Sequence, residues 1–254
     1  MRIFIINLKK SRYRRKSISQ QLDLLRLEYE FFDAVDGSIL GNEELSSLYN
    51  KKWAKRHVGR PLLPGEIGCA LSHIGIYRKI VKEKIPYALV LEDDTQLLPS
   101  IVQGLKKLEL ILAPEEAVVC LLSGCAGMIN DLGTLGEGYH LRRIASAAYL
   151  AHAYVVSYEA AQRLISALFP VVQVADDWGW ISHHANVELY ASDPEMASQL
   201  NEQYFESTID TTIERKKHQM GRWTSLKWYR NRIYLKWWQF VERIGLGYYF
   251  WKNF

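Results

Sequence analysis

A chain of 254 residues, 48% of them apolar, can build one sizeable core. Its longest apolar stretches, such as 145–156, are broken by Ser146 and His152 and fall short of the roughly 20 residues a membrane-spanning helix needs, and the run at 2–6 is too short for a secretory signal, so a cytoplasmic location is expected. The odd set Cys69, Cys120 and Cys125 argues against a disulfide framework, and the net charge of +4 hides an asymmetry along the chain.

Residues 2–7 are a β-branched and aromatic run ending in Asn7, after which Ile18, Leu22 and Leu25 recur at helical spacing; this predicts a strand and then a helix. A second strand is predicted over 29–32, leading into a polar turn at 33–37. Asn42, Glu43 and Glu44 predict a capped helix start with acids in its first turn. Pro64, Gly65 and Glu66 open another helix, with Ile67, Leu71, Ile74 and Val81 on its buried stripe. The strand over 87–91 is apolar throughout, which predicts a parallel sheet covered on both faces, and it ends at Glu92, Asp93 and Asp94. Then follow a helix over 98–112, a strand over 118–122 and a loop over 123–138 whose five glycines predict mobility. A strand over 149–157, a helix over 158–168 and a last strand over 187–190 complete the pattern. Such alternation predicts an α/β layered, Rossmann-like sheet with its ligand beyond the C-terminal strand ends.

Three adjacent carboxylates after a buried strand repel one another and are led away from bulk water, and a bound cation relieves both problems. Magnesium or manganese suits such oxygen ligands, completed by substrate phosphates. In an extended backbone Glu92 and Asp94 share one side and Asp93 takes the other, so Asp94 is expected as the direct ligand with Glu92 assisting. A plain acidic turn fits the spacing equally well. Asp176 and Asp177 precede Trp178, Gly179 and Trp180, which places two acids beside indoles able to stack on a sugar; the same pair can instead cap a helix. His183 and His184 are adjacent on a helix, so at most one reaches a metal.

Several segments stand in the order seen in family 25 glycosyltransferases. These are Asn7-Leu8 with Arg14-Arg15, Phe31-Phe32-Asp33-Ala34, Gly65-Glu66-Ile67-Gly68-Cys69-Ala70-Leu71-Ser72-His73 and Leu91-Glu92-Asp93-Asp94. Ala153-Tyr154-Val155-Val156-Ser157, Pro194, Gln199 and Ser207-Thr208-Ile209 extend the resemblance to about residue 215. The family includes lipooligosaccharide galactosyl- and glucosyltransferases and collagen galactosyltransferases. The resemblance implies a GT-A fold, a UDP-hexose donor, Mn2+ or Mg2+, and inversion at the anomeric carbon. It also implies a lipooligosaccharide acceptor, with β-1,4-galactosyl transfer ahead of glucosyl transfer. Asn7, Leu8, Arg15, Asp33, Ala34, Asp36, Ser72, His73, Glu92 and Asp93 become donor-pocket candidates; Asp94 and Glu92 are the metal candidates. Asp176, with Asp177 as alternate, becomes the carboxylate base that single displacement requires. One departure is the stretch before the paired arginines, where the family carries an acid and this chain has Tyr13 and Arg14.

Two other classes compete. A metal-dependent phosphoesterase also uses clustered carboxylates but needs further acids and histidines than the chain obviously supplies after Asp94. A nucleic-acid-binding module would use the basic end of the chain, yet the remainder is acidic, so no nucleic acid partner is expected. Residues 215–254 hold ten Lys and Arg, one acid and twelve aromatics, while residues 1–214 hold 22 basic against 27 acidic residues. The expected division is therefore a catalytic domain over 1–214 and a membrane-associating segment over 215–254. That segment would hold the protein peripherally on the anionic inner membrane surface.

Overall fold

The computed structural model describes residues 1–200 except Pro114, Ala126, Ser146 and Ala147, so the expected boundary at 214/215, the basic aromatic segment and Ser207-Thr208-Ile209 lie outside the described residues. Strand β1 (Arg2–Asn7) lies at the heart of the N-terminal half, parallel to β2 (Glu30–Asp33) on one side and to β3 (Tyr87–Glu92) on the other. Its alternate residues feed two cores, because successive side chains of a strand point to opposite faces. Phe4 and Ile6 pack on one face, Ile3 and Ile5 on the other. Helix α1 (Arg12–Leu24) covers the second face through Ile18 and Leu22.

The connection from β2 to β3 carries a 3-10 turn (Gly37–Ile39) and helices α2 (Asn42–Leu48), α3 (Lys51–Val58) and α4 (Pro64–Lys82). The expected caps are present. Glu44 accepts the Gly41 N–H at 2.9 Å, and Glu66 accepts the Leu63 N–H at 2.9 Å while taking a two-pronged 2.7 Å contact from Arg60. Ile67, Leu71 and Ile74 are buried as expected, but Val81 is only half-buried, one residue from the helix end.

After β3 come β4 (Thr95–Leu97), α5 (Ile101–Ile111), β5 (Val118–Leu121), β6 (Met128–Gly136), β7 (Tyr139–Ile144), β8 (Ala153–Ser157), α6 (Tyr158–Leu168), α7 (Trp178–Ala185), β9 (Glu188–Asp193) and β10 (Ala197–Gln199). The main sheet runs β2-β1-β3-β8-β5-β9-β7-β6, and β4 pairs with β10 in a small second sheet. The layered α/β expectation holds, but the sheet is mixed. β3 is parallel to β1 and antiparallel to β8, and β5 is likewise antiparallel to β8. An all-apolar strand reports cover on both faces and is silent on neighbour direction.

The glycine-rich loop expected over 123–138 is another correction, since most of it is the strand β6, hairpinned onto β7. Its glycines serve the irregular pairing. Gly133 and Gly136 have φ of 141° and 146°, and the register shifts between Asp131 and Gly133 and between Thr134 and Gly136. The strand expected from 149 begins only at Ala153, leaving Tyr149 and Leu150 exposed in the preceding loop.

Gly37 seats the start of α4 against the β2 end. A Cβ at Gly37 would lie 1.8 Å from the Pro64 carbonyl oxygen, and one at Gly68 would lie 2.5 Å from that of Val35. Gly37→Ala should therefore destabilise the fold by about 1–3 kcal/mol, the usual scale of overpacking. Thermal unfolding reads this directly, and an unchanged Tm would contradict the close approach.

Candidate active site

Register brings the site together. Asn7 lies opposite Asp33, and Ile6 opposite Glu92, so the C-terminal ends of β2, β1 and β3 form one ledge. Asp93 and Asp94 form the turn from β3 to β4, which corrects the expected alternation. Strand geometry stops at Glu92, and the Arg14 guanidinium lies 3.2 Å from Asp93 Oδ1 and 3.5 Å from Asp94 Oδ2. A single cation thus faces both aspartates.

The three acids have different surroundings. Asp93 is buried and accepts 2.7 Å from Asn7 Nδ2; burial raises its pKa, against the lowering pull of Asn7 and Arg14. Asp94 takes Gln199 Nε2 on Oδ2 at 3.1 Å, but its Oδ1 is buried with no hydrogen-bond partner among the described residues. Burial first, and then the charge of Glu92, push its carboxyl up to about 6. Glu92 feels the same burial. The His73 hydrogen bond and neighbouring positive charge outweigh it and hold its pKa below the ordinary value.

His73 is buried, with Nε2 3.2 Å from Glu92 Oε1 and Nδ1 2.7 Å from the Tyr154 hydroxyl, which in turn lies 2.8 Å from that of Tyr77. Among the described residues, Cys69, His73 and Glu92 bring one ligand atom each within 4.8 Å of one another. That thiol-containing set suits a softer ion than Mg2+ or Mn2+. Burial and the charges of Glu92, Asp176 and Asp94 push the Cys69 thiol far up. The orphaned Asp94 Oδ1 beside Glu92 is the feature that fits a hard divalent cation.

Other donor-pocket candidates are committed to the fold. Asn7 also donates to the Ser11 carbonyl at 3.3 Å, and Arg15 reaches Asn7 Oδ1 at 3.5 Å while stacking 3.6 Å over the Phe31 ring. Ser72 Oγ donates to the Gly68 carbonyl at 2.7 Å and accepts the Val35 N–H at 2.9 Å, a buried clamp between α4 and the turn after β2. Asp33 pairs with Lys9 at 3.0 Å, and Asp36 pairs with Lys10 and caps the 3-10 turn through Ser38, which holds its pKa at about 2. Leu8 and Ala34 contribute backbone groups to the turns at the ledge: the Leu8 carbonyl accepts from Ser11, and the Ala34 N–H donates to Asn7.

Asp177 is the α7 cap, accepting the Trp180 N–H at 3.2 Å on Oδ1 and Gln173 Nε2 at 3.1 Å on Oδ2. Asp176 is half-buried, and its charge, like those of Glu92 and Asp94, raises the pKa of the Cys69 thiol. Trp178 is fully buried with its indole donating to the Leu150 carbonyl at 3.2 Å, which removes it as a sugar platform and leaves Trp180. His183 and His184 are exposed on α7, outside the converging ligand set. Sequence reasoning missed the roles of Arg14 and Tyr154, and also that of Gln199, which lies 105 residues from its partner Asp94 and gave no local signal.

A mixed α/β sheet ending in a carboxylate ledge defines a class of ligand-binding proteins whose chemistry sits beyond the strand ends. Residues 1–123 match the sequence model of glycosyltransferase family 25 (LPS biosynthesis protein), so just under half of the chain is similar to this family. The chain is 40% identical over 100 residues to a glycosyltransferase 25 family member of Aedes aegypti, covering 38% of this chain and 16% of the relative. It is 37% identical over 95 residues to procollagen galactosyltransferase 1-A of Xenopus laevis, covering 36% and 16%. With procollagen galactosyltransferase 2 of Homo sapiens it shares 29% over 188 residues, 65% of this chain and 27% of the relative. The matched stretches are thus a minor part of these relatives' length.

An acid whose folded pKa is raised stabilises the fold fully below its unfolded value and loses that contribution as pH rises through the folded value. For Asp94 the window is about pH 4 to 6. Asp94→Asn should thus raise the Tm of the EDTA-treated protein at pH 7.5, by on the order of 1–3 kcal/mol of stability at most, and abolish the Tm rise that Mn2+ gives the parent. Equal Mn2+ responses in both proteins would remove Asp94 as a ligand.

Proposed function

We propose that this chain is a GT-A glycosyltransferase that moves a hexose, galactose ahead of glucose, from a UDP-sugar to a lipooligosaccharide acceptor with inversion. One observation carries the reading: the charges of Glu92 and Asp94, from the end of β3, and of Asp176, from the segment before α7, all act on the buried Cys69 thiol. The family description, LPS biosynthesis protein, supports the acceptor class, and the galactosyltransferase names of the relatives support the sugar.

Glu92 and Asp94 would hold a divalent cation, which neutralises the donor diphosphate as it departs. His73, locked between Tyr154 and Glu92, fixes the Glu92 carboxylate. Arg14, held over Asp93 and Asp94, brings a positive charge to the same ledge. Asp176 accepts the proton of the acceptor hydroxyl as that oxygen bonds to the anomeric carbon and the bond from that carbon to the UDP oxygen breaks. Asp177, already committed to the cap, anchors the base beside α7. On this reading residues 1–214 are catalytic, and residues 215–254 dock the protein on an anionic inner membrane where a lipid-linked acceptor resides.

UDP release from UDP-galactose and UDP-glucose with a delipidated core oligosaccharide tests the reaction. Asp176→Asn should leave UDP binding intact and cut turnover by on the order of a hundredfold or more; the same loss in Asp177→Asn with unaffected Asp176→Asn would move the base by one residue. The full chain should also sediment with phosphatidylglycerol vesicles at low salt and be released at high salt. Recovery in the low-salt supernatant would refute the membrane role of the C-terminal segment.

A further inference from the structure

The face made by α3 and α7 carries chemistry that the proposed displacement does not use. Trp53 on α3 is 45% exposed, and its ring stacks on His57 one turn further along, with centroids 4.4 Å apart. Trp180 of α7 donates its indole N–H to His57 Nδ1 at 3.3 Å and stacks on His184 at 3.7 Å and 14°. Four rings from two helices therefore form one continuous aromatic cluster, with Trp53 and His184 exposed and His57 and Trp180 half-buried. Because Asp177 caps α7 on the Trp180 N–H, that surface begins within one helical turn of Asp176.

Charge lies along its edge. Lys52 and Arg56 are exposed one turn apart on α3, flanking Trp53 in sequence, and neither is in an ion pair among the described residues. A flat aromatic face is matched by the C–H face of a pyranose ring, and a guanidinium and ammonium beside it select a phosphate or carboxylate. We propose that this surface is an acceptor subsite that seats an anionic pyranose on Trp53, His57 and Trp180, with Lys52 and Arg56 taking its charge. The assignment rests on the glycosyltransferase reading and specifies the chemical class of its acceptor. A membrane contact fits the surface less well, because interfacial binding needs several protruding apolar side chains. On α3 only Trp53 qualifies, since Ala54 is buried and Val58 packs against the core.

Saturation-transfer NMR on the full chain with glucose, glucose 6-phosphate and glucuronate tests the subsite. The two anionic sugars should give signals stronger than glucose by on the order of threefold or more, the scale of one modest contact. Trp53→Ala should cut those signals by a similar factor, and Lys52→Glu with Arg56→Glu should erase the anionic preference. The charge-reversed positions are exposed, so this variant still decides the matter if Trp53→Ala fails to fold. A UDP-induced rise in Tm, equal in parent and variants, reports an intact donor pocket; its absence in the parent counts against the glycosyltransferase reading while the sugar signals judge the subsite separately. Unchanged sugar signals in both variants overturn the proposal. So does a Trp53→Ala protein that leaves phosphatidylglycerol vesicles yet keeps its sugar signals.

Discussion

The N-terminal half of this protein is organised around the difficulty of ending a buried strand in three carboxylates. Desolvation and mutual repulsion both oppose their ionisation, and each is treated differently. Asp93 is answered by an amide and a guanidinium, Asn7 at 2.7 Å and Arg14 at 3.2 Å. Glu92 is answered by a histidine. Asp94 alone keeps a buried oxygen with no partner among the described residues, and its carboxyl is pushed up to about 6. The unrelieved charge sits where a cation and a diphosphate would relieve it, so the fold tolerates strain at the position that function would use.

The surrounding elements follow from holding these groups still. Gly37 and Gly68 permit backbone contact between the 3-10 turn and the start of α4, which brings Cys69 and His73 over Glu92. The far side of His73 is fixed by Tyr154, a residue of the antiparallel strand β8, whose hydroxyl is steadied by Tyr77 one turn along α4. An antiparallel strand beside β3 is therefore more than a topological detail. It supplies the second contact that sets the orientation of the His73 ring, while the β8 approach loop supplies the His152 carbonyl that accepts the Glu92 N–H at 2.8 Å.

Features set by local spacing were legible in the sequence: the β1 and β3 runs, the capped helix start at 42–44, the helix opening at Pro64, the helix Tyr158–Leu168 and the acidic end of β3. Features set by strand pairing at a distance were not. The direction of β8 leaves no mark on the apolar pattern of β3, and the five glycines of 123–138 read as a loop although bulges in a hairpin use the same residue. In the site, the identity of the acids was visible, but their division of labour was not. Extended geometry placed Asp93 opposite Asp94, whereas the turn after Glu92 brings Arg14 to both. The contact of Gln199 with Asp94 gave no local signal because the two lie 105 residues apart.

The two acidic runs share a logic that explains why adjacent carboxylates behave so differently. In each, one acid is committed to the backbone framework and its neighbour is thereby placed for chemistry. Asp93, pinned by Asn7, fixes the turn that presents Asp94. Asp177, bonded to the Trp180 N–H and to Gln173, fixes the start of α7 and with it Asp176. A carboxylate saturated by an amide and a backbone donor is a poor base and a poor metal ligand, since its lone pairs are occupied. Its neighbour in the first run, Asp94, keeps one buried oxygen without a partner among the described residues, at the cost of burial near like charge. The charges of Asp94 and Asp176 both act on the Cys69 thiol, so the two runs, from separate segments of the described chain, bring their charge to one buried group.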